Sequence, residues 1–364
     1  MKRKTRIGVL GGGGIIGAHA RGYKASGDTA EVVAVAEPQE ANAPRIRELF
    51  GDGLTIYPGY EELLADADVD AVDICLPHDL HMPAAVAAAR RGRHVLVEKV
   101  MARNVWECDR MIQACDDAGV TLTVCHDRRY APEWAALKQV IDSGVLGSIS
   151  YWKLDHNQDV PLGRLSWARE WDRLGGGAIM SCLTHQIDAL RWYGIEVDAV
   201  TCMTKVLPER MEGETFGVVT ARMRSSALAQ LSINWMTRSG VDVLSDAGPR
   251  ALWYEMVQVC GTRGEAYYMS GRGTFVMSYD GEDLGGLFEC EGAIPEAGFA
   301  RLRTAGGPGH GRCVQEWVKL VRGEPSGISS TGPEGRAAVE VAEAAYLSAA
   351  TGAHVALPIK PKPW

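Results

Sequence analysis

The chain has 364 residues, 46% of them apolar and 23% charged, with a formal net charge of −8 and a pI near 5.7. This length favours two domains over one, and the mildly acidic balance argues against nucleic-acid or acidic-membrane partners. No apolar run nears the roughly 20 residues that span a bilayer. The nine cysteines, none in a C-x-x-C pair, read as reduced cytosolic thiols and not as a disulfide framework or zinc knuckle.

The basic start "MKRKTRIGVLGGGG" has too short an apolar stretch for a signal peptide and reads as a cytoplasmic N-terminus. "RIGVLG" (Arg6 to Gly11) then reads as a strand and "IIGAHARGYKAS" as a helix. "EVVAVAE" (Glu31 to Glu37) is a second strand and "YEELLADADV" a short helix. "DAVDICLP" (Asp70 to Pro77) is a strand, "HMPAAVAAARRG" an Ala-rich helix, "HVLVEK" a strand, "NVWECDRMIQACDDAG" a helix and "VTLTVCH" a strand. These strands are continuous apolar runs, the mark of parallel strands buried on both faces. Their alternation with helices predicts βαβ units in a doubly wound parallel sheet, a Rossmann-type α/β domain. Ligands on such sheets bind beyond the C-terminal ends of the strands. Glu98 and Lys99 follow the buried run Val95 to Val97 directly, with no turn residue between, and so fall at such an end.

The first strand runs into Gly12-x-Gly14-x-x-Gly17, with Ile15 and Ile16 opening the helix, and Glu37 lies twenty residues after Gly17 at the end of the next strand. Glycines let the backbone approach a pyrophosphate, and a helix N-terminus offers amide donors and a positive dipole end. A carboxylate at Glu37 suits both adenosine-ribose hydroxyls and repels a 2′-phosphate. "EPQE" offers no adjacent arginine, so NAD is expected in preference to NADP. The competing reading is a glycine turn with no ligand. His78 and His81, three apart, do not make a metal site, because no matching Cys/His/Asp cluster follows; no metal is expected.

Taken in order, the glycine loop, "ICLPHDLHMPAAVAAARRGRHVLVEKV", "CHDRRYAPEWAALKQVIDSGVLGSI", "GGGAIMSCLTHQIDALRWYG" and "EGRAAVEVAEAAYLSAATGAHVALP" resemble the glucose–fructose oxidoreductase, inositol dehydrogenase and MocA (Gfo/Idh/MocA) family over most of the chain. The resemblance implies an NAD-binding Rossmann domain over residues 1–127. It implies an α+β domain with a large open, mostly antiparallel sheet over residues 128–364, serving substrate binding and subunit pairing. "SISYWKLDHNQD", "AVTCMTKV", "FGVVTARMRSSALAQLSINWM" and "LWYEMVQVCGTRGEAYYMS" alternate as half-buried strands do, which is compatible. "CVQEWVKLVRG" and the final Ala-rich stretch read as helices that close the chain.

The implied activity is hydride transfer between a nicotinamide and a secondary alcohol or ketone carbon of a sugar, glycoside or cyclitol. The family's Glu-Lys motif falls on Glu98 and Lys99. The lysine is implied to reach the reacting oxygen, where a cation stabilises a developing alkoxide by several kcal/mol, of order one oxyanion donor. Glu98 would orient Lys99 or contact the nicotinamide ribose. Val100 stands where the motif usually has proline. His185 falls where the family places a histidine facing the nicotinamide, and an imidazole suits a general base or acid. Four residues earlier, where relatives carry aspartate, this chain has Ser181; Asp188, one turn later, is a possible support for the ring. Pro77, His78 and His81 are expected at the nicotinamide end of the cofactor, with His78 in place of a usual asparagine.

For substrate contacts, strand alternation puts Lys153, Asp155 and Asn157 on one face and Trp152, Leu154 and His156 on the other. The polar set suits polyol recognition. Asp172, beside Trp167, Trp171 and Arg173, adds aromatic faces and a carboxylate suited to a pyranose, though the tryptophans equally suit a core or a subunit interface. A homodimer or homotetramer through the second-domain sheet is expected. The alternative reading is a dinucleotide- and sugar-binding regulator of the same fold without turnover.

Overall fold

The computed structural model describes residues 3–160, 166–236, 253–294, 298–305 and 307–360. They fall into two compact units, one holding the residues up to Tyr130 together with Gly307–Val339, the other holding Ala131–Gly306 and Glu340–Lys360.

The first unit is built on six strands: β1 (Thr5–Leu10), β2 (Ala30–Ala36), β3 (Thr55–Tyr57), β4 (Ala71–Ile74), β5 (His94–Glu98) and β6 (Leu122–Cys125). They pair in the order β3-β2-β1-β4-β5-β6, all parallel. Val95, Leu96 and Val97 of β5 are wholly buried, as a strand covered on both faces requires. Crossover helices α1 (Ile16–Ala25), α2 (Ala43–Phe50), α3 (Tyr60–Asp66), α4 (His81–Ala89) and α5 (Val105–Ala118) join them. α4 turns four alanines, Ala84, Ala85, Ala88 and Ala89, inward, which lets it lie close to the sheet. Asn104 caps α5, accepting the Glu107 amide at 2.8 Å, while the Glu107 carboxylate accepts the Arg103 amide. The strand order reverses between β1 and β4, the switch point where such sheets bind ligands.

α2 and the three-residue edge strand β3 are additions to the expected elements. A larger difference is the make-up of this unit. α8 (Gly309–Val321) packs on α1, and its Cys313, Val314, Trp317 and Val318 join one core with Ile7, Val9, Tyr23 and Val35. The close approach is at Gly22, where a Cβ would lie 2.6 Å from the Gly311 carbonyl oxygen and from Val314. The unit is therefore discontinuous in sequence, whereas the expected division at 127/128 is continuous. The physical reason is that α8 carries a long apolar face, and α1 offers a glycine against which to seat it. α9 (Gly332–Thr351) has residues in both units.

The second unit carries a ten-stranded sheet: β7 (Ile149–Gln158), β8 (Val197–Val206), β9 (Glu214–Met223), β10 (Leu228–Asn234), β11 (Trp253–Gly261), β12 (Gly264–Met269), β13 (Gly273–Ser278), β14 (Cys290–Ile294), β15 (Phe299–Leu302) and β16 (Val355–Ala356). The order is β14-β15-β13-β12-β11-β7-β10-β9-β8-β16, antiparallel except for β7 with β10. One face is covered by α6 (Pro132–Asp142), a π-helical turn (Ile179–Leu183) and α7 (Thr184–Trp192). Among the described residues, Met203, Val218 and Leu228 are exposed on the opposite face. This is the expected open, mostly antiparallel sheet, extended by β13 to β16. Among the described residues no helix is long and apolar enough to cross a membrane.

Candidate active site

In the first unit the glycine loop between β1 and α1 is tied to the end of β2 by one side chain. The Gly12 amide donates to Glu37 Oε2 at 2.9 Å, and the Gln39 amide donates to Glu37 Oε1 at 2.9 Å. Glu37 is thereby held against the loop. The approach needs glycine at position 12, since a Cβ there would lie 2.5 Å from Glu37 Oε2. Gly13 and Gly14 lie in open space on their Cβ side. No side chain caps α1 at Ile15, so the amides that follow, from Ile16 and Gly17 onward, would suit an anion with the helix dipole behind them. These features fit a dinucleotide: the loop amides for a pyrophosphate and the Glu37 carboxylate for ribose hydroxyls. A residue the sequence reading missed also belongs here. Arg45, from the first turn of α2, donates to the carbonyls of Gly13 and Gly14, both at 3.0 Å. It lies eight residues beyond Glu37, and only the placement of α2 brings it back to the loop.

At the end of β5, Lys99 is half-buried, and its amide donates to Glu98 Oε2 at 3.2 Å. The Lys99–Val100 peptide is cis, the position where the motif usually has proline. The other oxygen of Glu98 faces a buried imidazole: His19 Nε2 lies 2.9 Å from Glu98 Oε1, and His19 Nδ1 lies 2.8 Å from Asp73 Oδ2. Tyr23 donates to the same Asp73 oxygen at 2.7 Å. Two carboxylates on two ring nitrogens make both nitrogens donors, so His19 is an imidazolium. Burial opposes that charge, and Asp73 outweighs it, holding the His19 pKa well above its ordinary value. Burial likewise opposes ionisation of Glu98. His19, His310 and Lys99 override it and hold the carboxyl far below the usual range.

Cys75 and Cys125 flank His19, and with the carboxylates they form two groups of metal-ligand type. The nitrogen–oxygen distances of 2.8 and 2.9 Å are those of direct hydrogen bonds. Tetrahedral ligands about 2.1 Å from an ion stand about 3.4 Å apart, so the cluster reads as an ion-paired core and not a metal centre. His310 of α8 adds a further imidazole, 3.2 Å from Asp127. Burial pushes its pKa down.

Pro77 and His78 follow β4 at the switch point. His81 is wholly buried, with Nδ1 2.9 Å from the Val100 carbonyl and Nε2 2.8 Å from the Leu76 carbonyl. It braces the ends of β4 and β5 against each other, and burial lowers its pKa. The His78 ring lies 5.5 Å from it.

In the second unit His185 is buried in the first turn of α7. Ser181, also buried, sits in the preceding π-helical turn, Ile179–Leu183. Beside His185 lies His156 of β7, with ring centroids 6.4 Å apart and planes within 6°. His156 Nδ1 is 3.0 Å from Glu255 Oε1, Nε2 is 3.2 Å from Gln158 Oε1, and Gln186 Nε2 donates to Glu255 Oε1 at 2.9 Å. Burial disfavours charge on His156, but the Cys182 sulfur and the Glu255 carboxylate more than offset it, raising the pKa to about 9.

Strand alternation separates the expected β7 residues from this cluster. Lys153, Asp155 and Asn157 alternate with His156 and occupy the sheet face opposite to it. There Lys153 pairs with Asp155 at 3.2 Å, and Ser232 donates to Asp155 at 2.6 Å. Asp172 is exposed in the short turn Trp171–Leu174, whose Trp171 packs on Tyr346. Of the expected substrate set, Ser181 alone lies on the chain segment leading into His185. The β7 residue that reaches His185 is His156, which the sequence reading placed on the non-polar side.

Residues 5–126 match the model of an oxidoreductase family with an NAD-binding Rossmann fold, and residues 134–267 match the GFO/IDH/MocA C-terminal domain. The chain is 30% identical to levoglucosan dehydrogenase of Pseudarthrobacter phenanthrenivorans over 57% of its own length and 56% of that protein's, so it spans little more than half of that relative. It is 27% identical to myo-inositol 2-dehydrogenase of Thermotoga maritima, over 76% of this chain and 78% of the relative. The solved structure of a levoglucosan dehydrogenase in complex with NADH and levoglucosan superposes with a TM-score of 0.81 at 21% identity, covering 98% of this chain and all of the other. With both of its units matched by the corresponding family models, the chain belongs to the Gfo/Idh/MocA oxidoreductase family.

Proposed function

We propose that the protein is an NAD(H)-dependent oxidoreductase that interconverts a secondary alcohol and a ketone on a sugar, glycoside or cyclitol. The observation that carries this reading is Lys99: an ammonium-bearing residue fixed through its amide by an ionised, buried Glu98, at the C-terminal end of a strand in an NAD-binding fold. A cation in that place stabilises negative charge developing on a substrate oxygen, and it does so most strongly where water is scarce. His185 is the proton acceptor for the hydroxyl, and the donor in reduction. NAD, when bound, supplies the hydride acceptor. The Gly12 to Gly17 loop and Glu37 hold it, with Pro77, His78 and His81 shaping the strand ends at the nicotinamide side. Glu37 favours NAD over NADP, because a fixed carboxylate repels a 2′-phosphate.

Ser181, Asp172 and the polar face of β7, Lys153, Asp155 and Asn157, are the candidates for substrate hydroxyls or for groups a partner subunit brings near. The open sheet face, with Met203, Val218 and Leu228 exposed, supports a homodimer or homotetramer built through that sheet. The acidic charge and the nine cysteines, all outside disulfides, support a cytoplasmic location. The deciding experiment follows nicotinamide absorbance with NAD or NADP and a panel of inositols, aldoses, ketosugars and glycosides. Turnover that disappears in Lys99→Ala while NAD still binds supports the enzyme. Tight NAD binding with no turnover across the panel, in either direction, overturns it in favour of a non-catalytic regulator.

A further inference from the structure

We propose that His156 is the positioning residue for His185: held as a fixed imidazolium by Glu255 and Gln158, it sets the plane of the His185 ring and makes a second proton on that ring costly. The inference rests on the reading of His185 as the proton-transfer group. It stands on the geometry of one cluster inside the second unit.

Glu255 Oε1 accepts from both His156 Nδ1 and Gln186 Nε2. A carboxylate oxygen only accepts, so Nδ1 carries a proton and the Gln186 amide is fixed with its nitrogen toward Glu255, 3.2 Å from Nδ1. On the other side of the ring, Gln158 Oε1 faces Nε2 at 3.2 Å and also accepts from the Cys182 thiol at 3.6 Å. With acceptors on both nitrogens, the ring is satisfied in full only as a cation. The pKa near 9 agrees with that. The ring, Glu255 and Gln186 are almost wholly buried, so this is a built charge and not a surface histidine that happens to lie nearby.

Among the described residues, the ionisable groups on the elements about His185 include His156 of β7, Glu255 of β11, Cys182 of the π-helical turn and, on α7 itself, Asp188 one turn on; Ser181 carries no charge. Lys153 and Asp155 neutralise each other on the far face of β7. Of the charges on neighbouring strands, the cation of His156 presents its ring face to His185, while Glu255 is bonded at the edge of the His156 ring. A like charge 6.4 Å away disfavours protonation of His185, keeping it able to accept a proton near neutrality. The His185 ring lies parallel to the His156 ring, within 6°.

The test is an NMR titration of histidine-labelled full-length protein, with the His185 signal identified by its loss in His185→Asn. In His156→Gln the titration midpoint of His185 is expected to rise by about one pH unit. The acid limb of kcat/KM is expected to move with it, with kcat falling more than KM changes. Gln158→Leu, at the half-buried end of β7, is expected to shift the midpoint in the same direction by less, and it decides the matter if His156→Gln does not fold. In the wild type both ring nitrogens of His156 are expected to carry protons at pH 7. A neutral His156 in the wild type, or an unmoved His185 midpoint in a folded variant, overturns the proposal. Should His185→Asn keep full turnover, the assignment of His185 as base falls, while the shift between wild type and variants still judges the coupling itself.

Discussion

His19 Nε2 lies 2.9 Å from Glu98 Oε1 in a part of the first unit that solvent does not reach. Through this contact the first helix after the glycine loop is bonded to the carboxylate whose other oxygen holds the Lys99 amide. Asp73 closes the arrangement at the second ring nitrogen. A histidine ion-paired to two carboxylates in the core is stable only as a set. Taking away the middle member leaves two buried negative charges facing each other, which costs about 3–5 kcal/mol. His19→Leu is therefore expected to lower the urea midpoint steeply, by as much as a leucine-to-alanine cavity at the same depth. The pH dependence has two limbs. The His19 pKa is raised, so its contribution is full below the unfolded value of 6.5 and declines as pH rises above it. The Glu98 pKa is lowered, so its contribution is full above 4.5 and declines as pH falls. Wild type minus variant stability is expected to be greatest between those two values.

Glu214 contributes with the opposite sign. Its Oε1 accepts the Ile179 amide at 2.7 Å and the Tyr346 hydroxyl at 3.0 Å, bonds that favour the carboxylate. Burial outweighs them and raises the pKa to about 7 from 4.5. An acid with a raised folded pKa holds its proton in the native state and loses it when unfolded. Stability therefore falls as pH rises from about 4.5 to 7 and stays lower above that, by about 3 kcal/mol at full ionisation. Glu214→Gln keeps an acceptor for both donors and removes the charge. Calorimetry across pH 5 to 8 is expected to show the wild type losing stability relative to this variant. A constant difference between the two would mean that Glu214 is already ionised at pH 5.

The sequence made the first sheet legible because doubly buried parallel strands leave long apolar runs; β1, β2 and β5 carry one, while Asp73 interrupts β4 and Thr123 interrupts β6. It left β3 invisible because a three-residue edge strand has no room for a pattern. The pairing of the loop with Glu37 was legible because it depends on backbone shape and on spacing along one βαβ unit. His19, Asp73 and His310 were not, because their meaning lies in contacts between residues 54 or more positions apart along the chain. On β7 the period of two was read correctly, but which face meets α7 depends on the packing of the π-helical turn and helix over the sheet. That is why His156, assigned to the plain face, turned out to be the neighbour of His185, and why the polar trio lies across the sheet.

Gly12 and Glu37 make a separate prediction about cofactor choice. Gly12→Ala places a methyl group 2.5 Å from Glu37 Oε2, which forces the carboxylate off the loop amide. Ribose hydroxyls bonded to a carboxylate are worth about 1.5–3 kcal/mol each. The Kd for NAD is expected to rise roughly 10- to 100-fold by titration calorimetry, with the fold unchanged. Glu37→Ser is expected to lose NAD affinity similarly and to gain affinity for NADP, because the charge that repels a 2′-phosphate is gone. Arg45, already at the loop carbonyls, supplies a cation within the same unit. If Glu37→Ser bound both cofactors as the wild type does, Glu37 would be a loop brace only.

Lys99 and His185 reside in different units, so their cooperation is best tested by energetics. Lys99→Met removes the cation and is expected to lower kcat by about 10²–10³, the scale of one oxyanion donor. His185→Asn removes the proton acceptor and is expected to lower it by about 10²–10⁴. If both act on one oxygen in one transition state, proton removal is of little use without charge stabilisation, and the reverse. The double variant is then expected to be scarcely slower than the worse single variant, as groups that work as a unit are non-additive. Multiplying effects would place the two residues in separate steps, and His185 would then serve binding or product release instead of proton transfer.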